Sequence, residues 1–127
     1  MLIDSTIFID YLRGKEEAKT FLNSPPESLT TSIIVVMEII AGLYEKEEME
    51  DFLLLVQELN IEIIHLSNSI SQTAFLLFKN FYRRGLGIAD SLIAATAIEK
   101  KDKIATHNAK HFSSIKEVSL TTPYKYF

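Results

Sequence analysis

Apolar residues recur along this chain with two spacings, and the two divide it into elements. Brief apolar runs at residues 1–4, 61–64 and 103–106 have the length of buried strands, and residues 28–31 and 118–120 read the same way. Between them the apolar positions repeat at helical spacing. A first helix is expected over residues 7–13, with Ser5 or Thr6 as its cap and Gly14 as its stop. Ile7, Phe8, Tyr11 and Leu12 form its buried stripe; Asp10 falls off that stripe and is expected to be solvated. A short helix over 15–22 ends before Asn23-Ser24-Pro25-Pro26. A helix over 45–60 opens on solvated acids (Glu45, Glu47, Glu48, Glu50, Asp51) and carries Phe52, Leu53, Leu55, Val56 and Leu59 on its apolar side. A longer helix, capped by Ser67 or Ser69, runs to about residue 84 along Ile70, Thr73, Ala74, Leu77, Phe78 and Phe81. Pro123 starts a tail.

Two stretches carry a charge where the pattern leaves no obvious place for one. Residues 32–43 (SIIVVMEIIAGL) lack turn chemistry and are expected to form a buried helix capped by Thr31 or Ser32. Glu38 is the one charge in it. Its helical neighbours Ile34, Val35, Ala41 and Gly42 are apolar or small, so no solvated face is expected there. A carboxylate in such a place needs a proton, a basic partner or a metal ion. Residues 85–98 (GLGIADSLIAATAI) enter a helix through two glycines. Asp90 then sits in the first turn, with Ile93, Ala94 and Ala97 along its face. On its own Asp90 reads equally as a cap or as an acid compensating the helix dipole.

Strands alternating with helices indicate an α/β fold: a parallel sheet with helices on both faces, in a single domain over residues 1–127. With 47% hydrophobic residues the chain can fill one core. No apolar run reaches the roughly 18 residues that span a bilayer, so no membrane is expected. Met1-Leu2-Ile3 leads directly into an acid, and no secretory leader is expected. There is no cysteine, which excludes disulfides, thiolate nucleophiles and zinc–thiolate sites and suits a cytoplasmic location. The formal net charge is −4, so the chain is no generic polyanion binder. Contact with nucleic acid would have to come from local basic patches or from metal ions held by its acids.

Asp4 ends the first strand, and Thr106 ends a later one. Both therefore face the carboxyl edge of the sheet, where sites in such folds lie. The helices carrying Glu38 and Asp90 can close over that edge. Three converging carboxylates repel one another unless a cation neutralises them. Oxygen ligands without cysteine, and without a paired-histidine motif, favour Mg²⁺ or Mn²⁺ over Zn²⁺. That chemistry suits phosphodiester hydrolysis by a metal-activated water and needs no nucleophilic side chain. Ser5 or Thr6 can hold a metal-bound water or a phosphate, or simply cap the helix.

These residues resemble those of the PIN-domain nucleases, and in particular the VapC-type toxins of toxin–antitoxin pairs. Residues 1–14 (MLIDSTIFIDYLRG) look like the family's opening strand and first acid. Residues 32–43 look like its second-acid helix, residues 88–98 (IADSLIAATAI) like its third-acid helix, and residues 104–112 (IATHNAKHF) like its closing motif. The resemblance spans nearly the whole chain. It implies a PIN-like domain with a five-stranded parallel sheet and Mg²⁺-dependent endoribonuclease activity. It also implies a homodimer, and a cognate antitoxin that blocks the site. By the same resemblance Asp4, Glu38 and Asp90 are the metal-binding acids, with Thr6 and Thr106 beside them. Some members carry a fourth acid where this chain has Asn108, which leaves a second metal dependent on the substrate phosphate. His107 and His111 flank Asn108 and can contact RNA or shuttle a proton, or stand on the surface.

RNA contacts must come from local positive charge. Arg83 and Arg84, at the entry to the Asp90 helix, and Lys110, after Asn108, are the candidates, although helix ends favour such charges anyway. Three other readings compete. A two-component receiver needs paired acids after the first strand, where this chain has Ser5-Thr6. A DNA-cleaving nuclease of the same fold would be expected to carry more acids. A catalytically silent binding module is favoured by Asn108 and opposed by three intact acids.

Overall fold

The first strand is two residues long, yet it holds the middle of the sheet. The computed structural model of the protein describes residues 1–125; the last two residues of the tail that follows Pro123 lie outside them. β1 (Leu2–Ile3) pairs in parallel with β2 (Thr30–Ser32) on one side and β4 (Ile104–Ala105) on the other. β3 (Glu62–Ile64) lies beyond β2, and β5 (Leu120–Thr121) beyond β4, giving the order β3-β2-β1-β4-β5 with every pairing parallel. Leu2 stands opposite both Thr30 and Ile104, and Ile3 opposite Ala105. Successive strand residues face opposite sides of a sheet. Leu2 and Ile3 are both fully buried, so both faces are covered, as parallel sheets require.

Six helices supply that cover: α1 (Ser5–Leu12), α2 (Glu16–Asn23), α3 (Ile33–Ala41), α4 (Lys46–Glu58), α5 (Asn68–Phe81) and α6 (Ile88–Glu99). α5 packs on α6, and α1 packs on α2 and α3. Phe8 meets Phe52 edge to face at 5.4 Å, tying α1 to α4. Ile93, Ala94, Ala95 and Ala97 of α6 are fully buried, and the small alanine side chains allow its neighbours a close approach. Ser32 caps α3 by accepting from the Ile34 amide, and Ser67 caps α5 by accepting from the Ile70 amide. The rival caps serve elsewhere. Thr31 donates to the Ile3 carbonyl, and Ser69 donates to Glu99 on α6. α5 stops at Phe81 rather than continuing; a 3₁₀ turn, Tyr82–Arg84, follows and closes on Gly85 at φ +96°.

Three expectations change. α1 begins at Ser5, with Asp4 in the cap position and making no side-chain bond to the helix, so neither Ser5 nor Thr6 caps it. Asp10 is buried rather than solvated: the Tyr124 hydroxyl reaches across from the chain's far end and donates to its Oδ2 at 2.8 Å. The buried side of α1 turns accordingly, leaving Leu12 45% exposed. α3 does have a solvated face, on which Met37 and Glu38 stand exposed, because α1 and α6 cover only part of it. Among the described residues no helix is long and apolar enough to cross a membrane.

Candidate active site

Parallel pairing of β1 with β4 carries Asp4 and Thr106 off the same edge of the sheet. The Thr106 hydroxyl donates to Asp4 Oδ2 at 2.7 Å and accepts from the Asn108 amide at 2.9 Å. Thr6 Oγ1 accepts the His107 amide at 3.1 Å and lies 3.5 Å from Thr106 Oγ1. Two hydroxyls thus lace the loop after β4 to the start of α1, and Asp4 is fixed between them at 4% exposure. Burial pushes the Asp4 carboxyl above its ordinary range, against the pull of the Thr106 hydroxyl, the Ser5 amide and His111.

Asp90 arrives from the first turn of α6, whose cap is Gly87. Its carboxylate is neither the cap nor fully solvated. Burial raises its pKa, His111 opposes that shift, and the Asp4 charge adds to it. Glu38 comes from α3 and lines a groove with Ile9, Leu12, Ile39 and Leu43. That apolar wall explains why Glu38, though exposed, is held above the usual carboxylate range first by desolvation and then by Asp4 and Asp90. Glu38 on α3 thus feels the charges of Asp4, which follows β1, and of Asp90 on α6, and Asp90 feels that of Asp4.

The remaining candidates divide. Ser5 reaches Asp4 through its backbone amide, and Asn108 takes part through its backbone as well. Lys110 is exposed on the 3₁₀ turn Ala109–His111, which leads away from Asn108. Arg83 and Arg84 are exposed on the turn before α6, their guanidiniums over the rings of Tyr82 and Phe81 at 5.6 and 5.9 Å. His107 turns away from the acids toward Asp10: its Nε2 lies 3.8 Å from Asp10 Oδ2, its ring 4.5 Å from that of Tyr124, and burial lowers its pKa. Lys15 lies over the other partner of this cluster, 6.0 Å from the Tyr124 ring. A tail was expected here. The signal for this cluster was an acid, Asp10, between apolar neighbours, which helical spacing assigns to the wrong side. His111 turns toward the acids, with Nδ1 3.4 Å from Asp90 Oδ2.

Among the described residues no group of three His, Cys, Asp or Glu side chains stands in a geometry that could hold a metal ion. Burial raises the pKa of all three carboxylates; Asp4 and Asp90 add to the shift at Glu38, and Asp4 adds to it at Asp90, a repulsion that a nearby divalent cation would offset. Such a cation binds one or two carboxylates and keeps water or phosphate in its other positions.

The PIN domain family model matches residues 1–118. Ribonuclease VapC1 of Methanocaldococcus jannaschii is 31% identical over 94% of this chain and 84% of its own length. Ribonuclease VapC19 of Mycobacterium tuberculosis is 32% identical over 97% of this chain and 98% of its own. A solved structure described as a toxin–antitoxin complex from Klebsiella pneumoniae superposes with a TM-score of 0.80 at 28% identity, covering 98% of each chain. The five-stranded parallel sheet, the order of its elements and these likenesses agree: the chain belongs to the PIN-domain family, among its VapC-type members.

Proposed function

We propose that this chain is a divalent-metal-dependent endoribonuclease that hydrolyses RNA phosphodiester bonds at the Asp4–Glu38–Asp90 cleft. In this reading it is the toxin of a toxin–antitoxin pair, acting in the cytoplasm as a homodimer. The observation that carries it is the electrostatic repulsion among carboxylates from separate elements, felt at Glu38 from Asp4 and Asp90 and at Asp90 from Asp4, a cost that a bound cation would remove. The names of the relatives support the substrate class, and the Klebsiella complex supports a cognate antitoxin as protein partner.

Asp4, Asp90 and Glu38 would hold Mg²⁺, with Mn²⁺ able to substitute. The ion, when bound, supplies a water of lowered pKa and offsets charge on the phosphate oxygens. The chain's own groups do the rest. Thr106 and the Ser5 amide fix the Asp4 carboxylate, so that its orientation costs nothing at the moment of reaction. Glu38, exposed at the rim with a raised pKa, would bring the third carboxylate to the ion. Thr6 keeps the His107 amide, and with it the loop, in register. Arg83, Arg84 and Lys110 supply the exposed positive charge that a phosphate backbone needs in an otherwise acidic chain.

The deciding experiment is cleavage of RNA and of single- and double-stranded DNA by the purified chain. It is run with Mg²⁺ or Mn²⁺, with EDTA, and with Asp90→Asn as control. RNA cleavage that needs metal and vanishes in Asp90→Asn is the expected result. Cleavage of DNA alone would replace the substrate. A folded chain that cuts nothing and binds no metal would leave a silent binding module.

A further inference from the structure

Residue 107 faces two ways. Its backbone amide donates to Thr6 Oγ1 at 3.1 Å, beside the bond from Thr106 to Asp4, while its imidazole turns away from the acids. That side chain is 5% exposed, between Asp10 on α1 and Tyr124, whose ring centre lies 4.5 Å from its own. Tyr124 is held in turn: its hydroxyl donates to Asp10 Oδ2 at 2.8 Å, its ring meets that of Phe21 on α2 at 6.3 Å, and the Lys15 ammonium lies over it. The segment leading to Tyr124 also grips the preceding residue of the loop. The Thr106 amide donates to the Thr121 carbonyl at 3.0 Å, and the Thr122 hydroxyl donates to the Thr106 carbonyl at 3.5 Å. Residues 121–124 therefore bracket Thr106 and His107, and Thr106 is the residue whose hydroxyl aims Asp4. The hold on Asp4 is only as firm as this loop. Thr106 Oγ1 has one proton, which goes to Asp4, and a lone pair that takes the Asn108 amide, so a shift of the loop breaks both bonds together. Peptide units are planar and rigid, so a displaced residue 107 carries its own amide and that of Asn108 with it.

We propose that Tyr124 is a positioning residue for the nuclease: seated on Asp10 and His107, it holds the loop after β4 where Thr106 orients the Asp4 carboxylate. The inference rests on the reading under Proposed function and extends it to a side chain far from Asp4 in sequence. A misplacement of about 1 Å, caused far from the chemistry, can cost about a hundredfold in rate. A support of this kind acts on turnover. Capture of the RNA backbone, which that reading gives to Arg83, Arg84 and Lys110, does not depend on it.

The test compares wild type, Tyr124→Phe, Tyr124→Ala and Val56→Ala, the last a core variant on α4. Circular dichroism and a thermal melt establish folding, and every protein is assayed well below its melting temperature. Two readouts are taken: amide hydrogen exchange of the metal-free chain, and kcat and KM for RNA cleavage with Mg²⁺ or Mn²⁺. In Tyr124→Ala the His107 and Asn108 amides should exchange faster than in wild type, by at least about tenfold more than the Leu2 and Ile104 amides of the central strands do. Its kcat should fall by roughly tenfold to a hundredfold while KM stays within about twofold. Tyr124→Phe, which keeps the ring and loses the donor, should lie between it and wild type. Val56→Ala should melt earlier yet keep the wild-type kcat, with any faster exchange spread evenly over the four amides. If Tyr124→Ala does not fold, Tyr124→Phe carries the comparison with the same signs. Exchange at His107 and Asn108 that rises no more than at Leu2 and Ile104, or a kcat no lower than that of Val56→Ala, overturns this inference and leaves the nuclease reading standing. A folded wild type that cuts no RNA with either metal overturns the nuclease reading, and the inference with it, whatever the exchange shows.

Discussion

Thr106 does two jobs with one oxygen. It donates to Asp4 and accepts from the Asn108 amide, and it is fully buried. Valine has nearly the same shape but no hydroxyl. Thr106→Val would leave a buried carboxylate and a backbone amide without that partner, and should cost about 1–3 kcal/mol in a urea denaturation midpoint. RNA cleavage should fall at least about tenfold, through loss of the Asp4 orientation. Glu38 gives a prediction with a sign. Its folded pKa is raised, so above the ordinary carboxylate range the folded state binds more protons than the unfolded state does. That contribution therefore destabilises the metal-free protein progressively as pH rises from the pKa of an unfolded glutamate through the raised one. In EDTA, Glu38→Gln should unfold at higher denaturant than wild type at pH 7, and the gap should close as the pH is lowered toward the pKa of an unfolded glutamate. A gap that persists at low pH would show that charge is not its cause.

At the scale of elements, the C-terminal segment acts as a clasp. The Tyr124 hydroxyl is bonded to Asp10 on α1, and its ring packs on His107 of the closing loop and on Phe21 of α2. Tyr124→Phe keeps the rings in contact and removes the donor, so it should cost about 1–3 kcal/mol with little change in the slope against denaturant. Most elements were legible in the chain because their apolar spacing is regular: α5 and α6 bury the residues their periodicity selects, Asp4 follows β1, and Asp90 stands in the first turn of α6. Asp10 and Glu38 were misplaced for a common reason. Periodicity says which side of a helix is polar, whereas burial depends on what a distant segment lays over it. Tyr124 covers Asp10 from 114 residues away, and incomplete packing leaves Glu38 open. The partner of His111 was likewise hidden, since nothing local ties residue 111 to residue 90.

For the molecule as a whole, two groups of apolar side chains remain uncovered. Ile9, Leu12, Leu43 and Leu54 line grooves beside α1, α3 and α4, while Phe75, Leu76 and Ile88 stand out from α5 and α6. Exposed apolar area of this kind marks surfaces for partners. The proposed homodimer predicts a light-scattering mass near twice 14.4 kDa for the purified chain, and a monomer mass at all concentrations would remove the dimer from the reading. The central position of β1 also bears on timing during synthesis. Leu2 is made well before its neighbour on one side, Ile104. At typical elongation rates the ribosome needs roughly 5–20 seconds to make the intervening chain. Until β4 emerges, Asp4 has neither the strand nor the threonine that hold it. For a nuclease whose proposed substrate is RNA, this order of assembly leaves the Asp4 side of the proposed cleft incomplete until β4 has been made.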